Sequence, residues 1–199
     1  MKILLASHNK GKIAELQALM HTVSTDIEVL SMSDIGFHDD IVEDGDTFAE
    51  NALIKSRTGA RLGYITVADD SGLMVDALGG APGVYSARYA GEECDNAKNN
   101  EKLLQALNMV PAEDRTAKFV SVVACSFPDG REDIVVRGEC PGTILTEFRG
   151  HGGFGYDPLF WYEPMAKTYA EMTADEKNQI SHRGKAMQKF AEEFAKIKF

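Results

Sequence analysis

Apolar positions along the chain fall into two rhythms. Short apolar runs rich in β-branched residues, each bounded by Gly, Pro, Asp or Asn, predict strands at 2–6, 27–31, 64–68, 117–127, 132–138 and 143–148. Apolar residues recurring at three- and four-residue steps predict helices at 10–20, 46–61, 95–107 and 182–197, the last marked by Ala186, Phe190, Phe194 and Ile197. The front of the chain alternates strand and helix, which predicts α/β structure with parallel pairing. The middle predicts an antiparallel meander turned at FPDG, 127–130. Together these predict a mixed, twisted sheet with helices packed on it.

Length and composition narrow the class. A chain of 199 residues with 44% hydrophobic and 26% charged residues suits one globular domain over 1–199. Thirty-one acidic residues against 21 basic ones leave a net charge of −10, which repels a phosphate backbone and excludes a nucleic-acid partner. A small anion must therefore meet local positive charge or a metal. Three cysteines, Cys94, Cys125 and Cys140, lack short paired spacing, so neither a disulfide framework nor a zinc site is expected. A reducing cytoplasm is the expected location. The apolar run after Lys2 is too short for a signal peptide, and no run approaches the ~18 residues of a membrane span.

Five stretches carry candidate chemistry. SHNKGK, 7–12, sits between a strand and a helix, where unpaired N–H groups plus Lys10 and Lys12 suit a phosphate, although Asn9 also fits a plain helix cap. In EDGDTFAENALIKS, 43–56, Thr47, Asn51 and Lys55 share a helix stripe, with Glu43 in the loop upstream, where a carboxylate can reach a ligand. A polar stripe and a lone Glu are also what a solvated face shows. ADDSG, 68–72, is expected at the carboxyl end of the third strand, with Asp69 and Asp70 pointing apart. One of them can face a ligand or a Mg²⁺ ion while the other anchors the next turn.

GGFGYDP, 152–158, offers Phe154 or Tyr156 as a stacking face, or as core. EKNQISHRGKA, 176–186, places Lys177 before a helix opened by Ser181. His182 and Arg183 fall in its first turn, where cations oppose the helix dipole.

Taken in order, S-x-N-x-x-K, E-x-G-x-T-F-x-E-N-A-x-x-K, A-D-D-S-G-L, G-x-P-G-x-Y-S-A-R, G-x-G-G-F-G-Y-D-P and S-H-R-x-x-A resemble the inosine triphosphate pyrophosphatase family over nearly the whole chain. The resemblance implies a long mixed sheet in two lobes around a nucleotide cleft, a homodimer, and Mg²⁺-dependent hydrolysis. Its implied substrates are purine nucleoside triphosphates such as ITP, dITP and XTP, split to monophosphate and pyrophosphate. It implies that Ser7, His8, Asn9, Lys10, Gly11 and Lys12 hold phosphate, with Asn51 and Lys55 at the substrate. Glu43 and Asp70 are the implied metal ligands, and Asp70 the proton acceptor. Ser71, Phe154, Gly155, Tyr156, Asp157, Lys177, His182 and Arg183 are implied to hold the nucleotide and its base.

Ser7-His8 stands where Thr-Gly is common in relatives, which keeps a hydroxyl and changes the second position. Two rivals remain at this level: a nucleotide-binding regulator without chemistry, and a Maf-type pyrophosphatase acting on pyrimidine or modified nucleotides.

Overall fold

A computed structural model describes residues 1–198. The chain divides into two compact units: Met1–Asp70 with Ser121–Gly138 and the chain from Lys185 on, and Ser71–Val120 with Glu139–Gly184. One seven-stranded sheet has the order β2-β1-β3-β4-β5-β6-β7.

In the first unit β1 (Lys2–Leu5) lies between β2 (Glu28–Ser31) and the start of β3 (Ile65–Val75), parallel to both, with Ile3 opposite Val29 and Ile65. Each crossover is a helix. α1 (Lys10–Val23) returns the chain to β2, and α2 (Phe48–Arg61) returns it to β3, as parallel pairing requires. Both helices begin where their caps dictate. Asn9 Oδ1 accepts from the Gly11 and Lys12 N–H groups, and Thr47 with Glu50 forms a reciprocal capping box, devices worth about 1 kcal/mol each.

Leu16 and Met20 of α1 pack on Ile3, Leu5, Val29 and Val67, and Phe190 and Phe194 of α5 (His182–Phe194) close the same cluster. β4 (Thr116–Ser126) and β5 (Ile134–Ile144) neighbour each other in the sheet, and the FPDG turn comes after β4 as expected, with Gly130 at φ +77°. The second unit has its own core, in which Leu73, Leu103, Phe119, Phe160 and Tyr169 are buried. α3 (Asn96–Ala106), capped by Asp95, contributes Leu103. β5, β6 (Phe160–Tyr162) and β7 (Lys167–Thr168) form its antiparallel edge.

The α/β class and mixed sheet match the sequence expectation; four local expectations do not. The strand expected over 64–68 continues to Val75, so Asp69 and Asp70 lie within β3 instead of at its end. The strands expected at 132–138 and 143–148 are one strand, because Gly138 and Gly142 stay in the ladder instead of breaking it, and residues 145–148 fall outside it. β6 and β7 were not expected. Lys177 lies inside a short helix of its own, α4 (Ala174–Ile180), not in a loop before the next helix. The reason is a Thr173–Glu176 capping box, whose T-x-x-E spacing is legible in the sequence. No helix among the described residues is long and apolar enough to cross a membrane.

α2 approaches the sheet closely at Gly59, where an added Cβ would lie 2.7 Å from Leu4 Cδ2 and nearer still to Thr66 Oγ1. Gly59→Ala should therefore cost about 1 to 3 kcal/mol despite the better helix propensity of alanine. Urea unfolding of the two proteins reads this directly, and an unchanged or raised midpoint would refute the close contact.

Candidate active site

Parallel strands leave a crevice beyond their carboxyl ends, and here the pairing of β1 with β3 ends at Leu5 opposite Val67. Beyond that point β1 turns into SHNKGK while β3 runs on into Asp69 and Asp70. That register brings the turn and the aspartates together.

The turn is held by local bonds. Ser7 N–H donates to Leu5 O at 2.7 Å, Asn9 N–H to Ser7 Oγ at 3.1 Å, and Asn9 Oδ1 caps α1. The helix-cap reading of Asn9 is therefore correct, and it shapes the turn. The first turn of α1 contains no acidic residue and carries Lys10 and Lys12, charges that oppose the helix dipole and favour an anion beside it. Lys10 and Gly11 are exposed. His8 reaches sideways, its Nδ1 3.0 Å from Ser33 Oγ on the 3-10 turn after β2.

Successive side chains on β3 point to opposite faces, and each aspartate finds a different lysine. Asp69, buried at 6% exposure, takes Lys12 Nζ with both oxygens at 3.0 and 2.8 Å. Asp69 thereby orients a lysine of the phosphate turn. Asp70 Oδ1 lies 3.8 Å from Lys55 Nζ, which also donates to Glu43 Oε2 at 2.6 Å. Glu43, Lys55 and Asp70 thus meet around one ammonium group, with the Lys55 side chain only 12% exposed.

Of the stripe Thr47, Asn51, Lys55, the first is exposed and the other two are covered. Thr47 caps α2, and Asn51 is buried with its Oδ1 accepting from Gly45 N–H at 2.9 Å, which pins the loop bearing Glu43 to the helix. Two carboxylates already converging on one cation fit a Mg²⁺ ion, which takes one or two carboxylates and completes its shell with water and phosphate oxygens. Among the described residues no group of three or more His, Cys, Asp or Glu could hold a metal ion.

The second unit carries the other candidates. Asp157 is buried and accepts from Phe154 N–H at 2.9 Å and from Lys177 Nζ at 2.5 Å. Burial pushes its carboxyl up, partly offset by the Lys177 ammonium. Gly153 is required here: at φ +73°, a Cβ would collide with Asp157 Oδ2. The same loop leaves Phe154 77% exposed, with Lys177 Nζ 4.9 Å from its ring centre. Gly155, at φ +59°, accepts from Asn100 Nδ2 through its carbonyl.

Tyr156 is core: its ring is buried, its hydroxyl donates to Ser86 O at 2.8 Å, and burial raises its pKa. Of the two aromatic residues in the loop, Phe154 is the one placed to stack. His182 lies against the Phe119 ring, 4.9 Å between centres and 14° from parallel, and Arg183 comes next in the first turn of α5. Ser71 is half-buried on β3. Asp69 was one of two aspartates offered by the doubled Asp, Ser86 lies in the G-x-P-G-x-Y-S-A-R motif without having been singled out, and Asn100 was not expected and carries no signal in the sequence.

The first unit thus holds a strand-end turn with two lysines and a pair of carboxylates sharing an ammonium, and the second an exposed aromatic on a glycine loop. Residues 3–193 match the Ham1 family. A dITP/XTP pyrophosphatase of Leuconostoc mesenteroides is 52% identical over 191 residues, 94% of each chain, and one of Desulforamulus reducens is 49% identical over 193 residues, 96% of this chain and 94% of that one. The solved structure of the Staphylococcus aureus Ham1 protein superposes with a TM-score of 0.91 at 41% identity, covering 98% of each chain. The chain belongs to the Ham1 family, which bears out the resemblance drawn from its motifs.

Lys167 at 2.7 Å, with the Thr173 N–H, holds the Glu176 carboxyl of the α4 cap below its ordinary value of 4.5. A depressed carboxyl stabilises the fold above that ordinary value and loses the contribution as pH falls through its folded value. Glu176→Gln should therefore lose stability less steeply than the parent below pH 4.5. Urea midpoints across that acid range check it, and parallel curves would show that Glu176 is not the group.

Proposed function

We propose that this chain is a nucleoside triphosphate pyrophosphatase acting on non-standard purine nucleotides such as dITP, ITP and XTP. The observation that carries the reading is the convergence of Glu43 and Asp70 on one cation beside the SHNKGK turn. The names of the relatives, at about half identity over nearly the whole chain, agree with it.

A triphosphate carries about four negative charges, so an acidic protein holds it only through localised cations. Lys10 and Lys12 on α1 and Lys55 on α2 supply them, and Asp69 aims Lys12. A Mg²⁺ ion held by Glu43 and Asp70 would neutralise phosphate oxygens and charge building on the leaving pyrophosphate. Water adds across the anhydride between the first and second phosphorus atoms, giving monophosphate and pyrophosphate. No covalent nucleophile is required, because in-line positioning and charge neutralisation supply most of the acceleration. Asp70 orients the attacking water and accepts its proton. A carboxylate beside a divalent cation is a weak base, so orientation is its larger part.

Phe154 stacks on the base ring, and Lys177, His182, Arg183 and the loop amides offer donors to the carbonyl at C6 of hypoxanthine or xanthine. Adenine presents an amino group there, leaving those donors unmatched. The enzyme works as a homodimer in the cytoplasm.

Incubation of purified protein with dITP, dGTP and dATP plus Mg²⁺ should release monophosphate and pyrophosphate, fastest from dITP and slowest from dATP. Release of orthophosphate, or preference for dTTP and UTP, would overturn the reading. Asp70→Asn should keep the fold and lower kcat by about 100-fold or more. Unchanged kcat would remove Asp70 from the reaction.

A further inference from the structure

We infer that Lys55 is a resident counter-ion, holding Glu43 and Asp70 together in the metal-free protein and leaving them for the substrate's phosphates when a divalent cation binds. The inference rests on the reading of Glu43 and Asp70 as the cation's ligands.

The geometry points this way because the ammonium occupies the place a cation would take. Lys55 Nζ is 2.6 Å from Glu43 Oε2 and 3.8 Å from Asp70 Oδ1, and the two acidic groups come from different segments, a loop and β3. Without an intervening positive charge, the two carboxylates would repel each other across a partly buried site, where water screens little. The loop bearing Glu43 is itself pinned: Gly45 N–H donates to Asn51 Oδ1, and a Cβ at Gly45 would lie 2.6 Å from Glu50 Cβ. The carboxylates are therefore prearranged, and Lys55 is the flexible member, at the end of four methylene groups.

The charge balance sets Lys55 against the metal. One ammonium between two carboxylates leaves a net charge of −1, whereas a divalent cation added beside the ammonium would leave +1 and set two cations against each other at contact range. Lys55 therefore competes with the divalent cation when nucleotide is absent. When the triphosphate is present, the released ammonium gains a new anionic partner, so cation and nucleotide each strengthen the binding of the other. Such coupling is reciprocal by thermodynamic necessity.

The test uses Mn²⁺ alone, without nucleotide or turnover. Binding is measured by the electron paramagnetic resonance signal of free Mn²⁺ in the parent protein, Lys55→Met, Lys55→Gln and Lys2→Met. Circular dichroism confirms the fold of each, and Lys55→Gln, which keeps a hydrogen-bond donor for Glu43, serves if the Met variant unfolds. Removing the competing ammonium should tighten Mn²⁺ binding about tenfold, on the scale of one unit charge at contact range in a partly exposed site. Lys2→Met, which removes the same charge from an exposed position in the same unit, should change it less than about twofold. The Mn²⁺-induced rise in Tm should also be larger in the Lys55 variants.

Equal or weaker binding in the Lys55 variants overturns the counter-ion role, and so does equal tightening in Lys2→Met. Glu43→Gln separates the two levels: if it binds Mn²⁺ as the parent does, the ligand assignment itself fails, and the counter-ion role falls with it.

Discussion

A buried carboxylate costs several kcal/mol unless a cation or a set of donors meets it, and β3 carries two carboxylates in succession. The strand persists through them because each meets a lysine from a different helix. Asp69 turns to Lys12 at the start of α1, and Asp70 turns toward Lys55, two turns into α2. These pairs tie the phosphate turn, the Glu43 loop and the sheet into one arrangement. They explain how a chain with net charge −10 keeps amines pointed where a polyanion would need them.

The second unit solves a related problem with the same chemistry. Asp157 is buried with Lys177 beside it and the Phe154 N–H on the same oxygen, so one carboxylate orders both the glycine loop and the lysine of α4. Tyr156 fastens the loop into the core through Ser86, and its neighbour Phe154 is left in solvent. Its ring is not bare: the Lys177 ammonium lies 4.9 Å from its centre.

In both units, then, the paired carboxylates and lysines hold one another before any ligand arrives. Such preorganisation lowers the ordering cost of binding a flexible triphosphate. It also means that ligand anions and cations exchange with internal ones instead of filling a void, which makes the affinity of the site depend on how readily those pairs open.

The sequence by itself determined the α/β class, the helix starts at Asn9 and Ser181, a helix beginning near Asp46, and the identity of nearly every charged residue in the candidate site. Those features come from local rules: period, cap chemistry, and the order of motifs along the chain. It misread where β3 ends, because Asp-Asp-Ser-Gly reads as turn chemistry when only neighbours in sequence are weighed. Gly138 and Gly142 misled in the same way, suggesting two strands where β5 is one.

Which aspartate meets which lysine, whether Phe154 or Tyr156 faces solvent, and the convergence of Glu43 with Asp70 were decided only by tertiary structure. Glu43 and Asp70 are 27 positions apart, and Lys12 and Asp69 are 57. Contacts of that separation depend on strand register and on which face each side chain takes, and a single-residue shift would reverse them all.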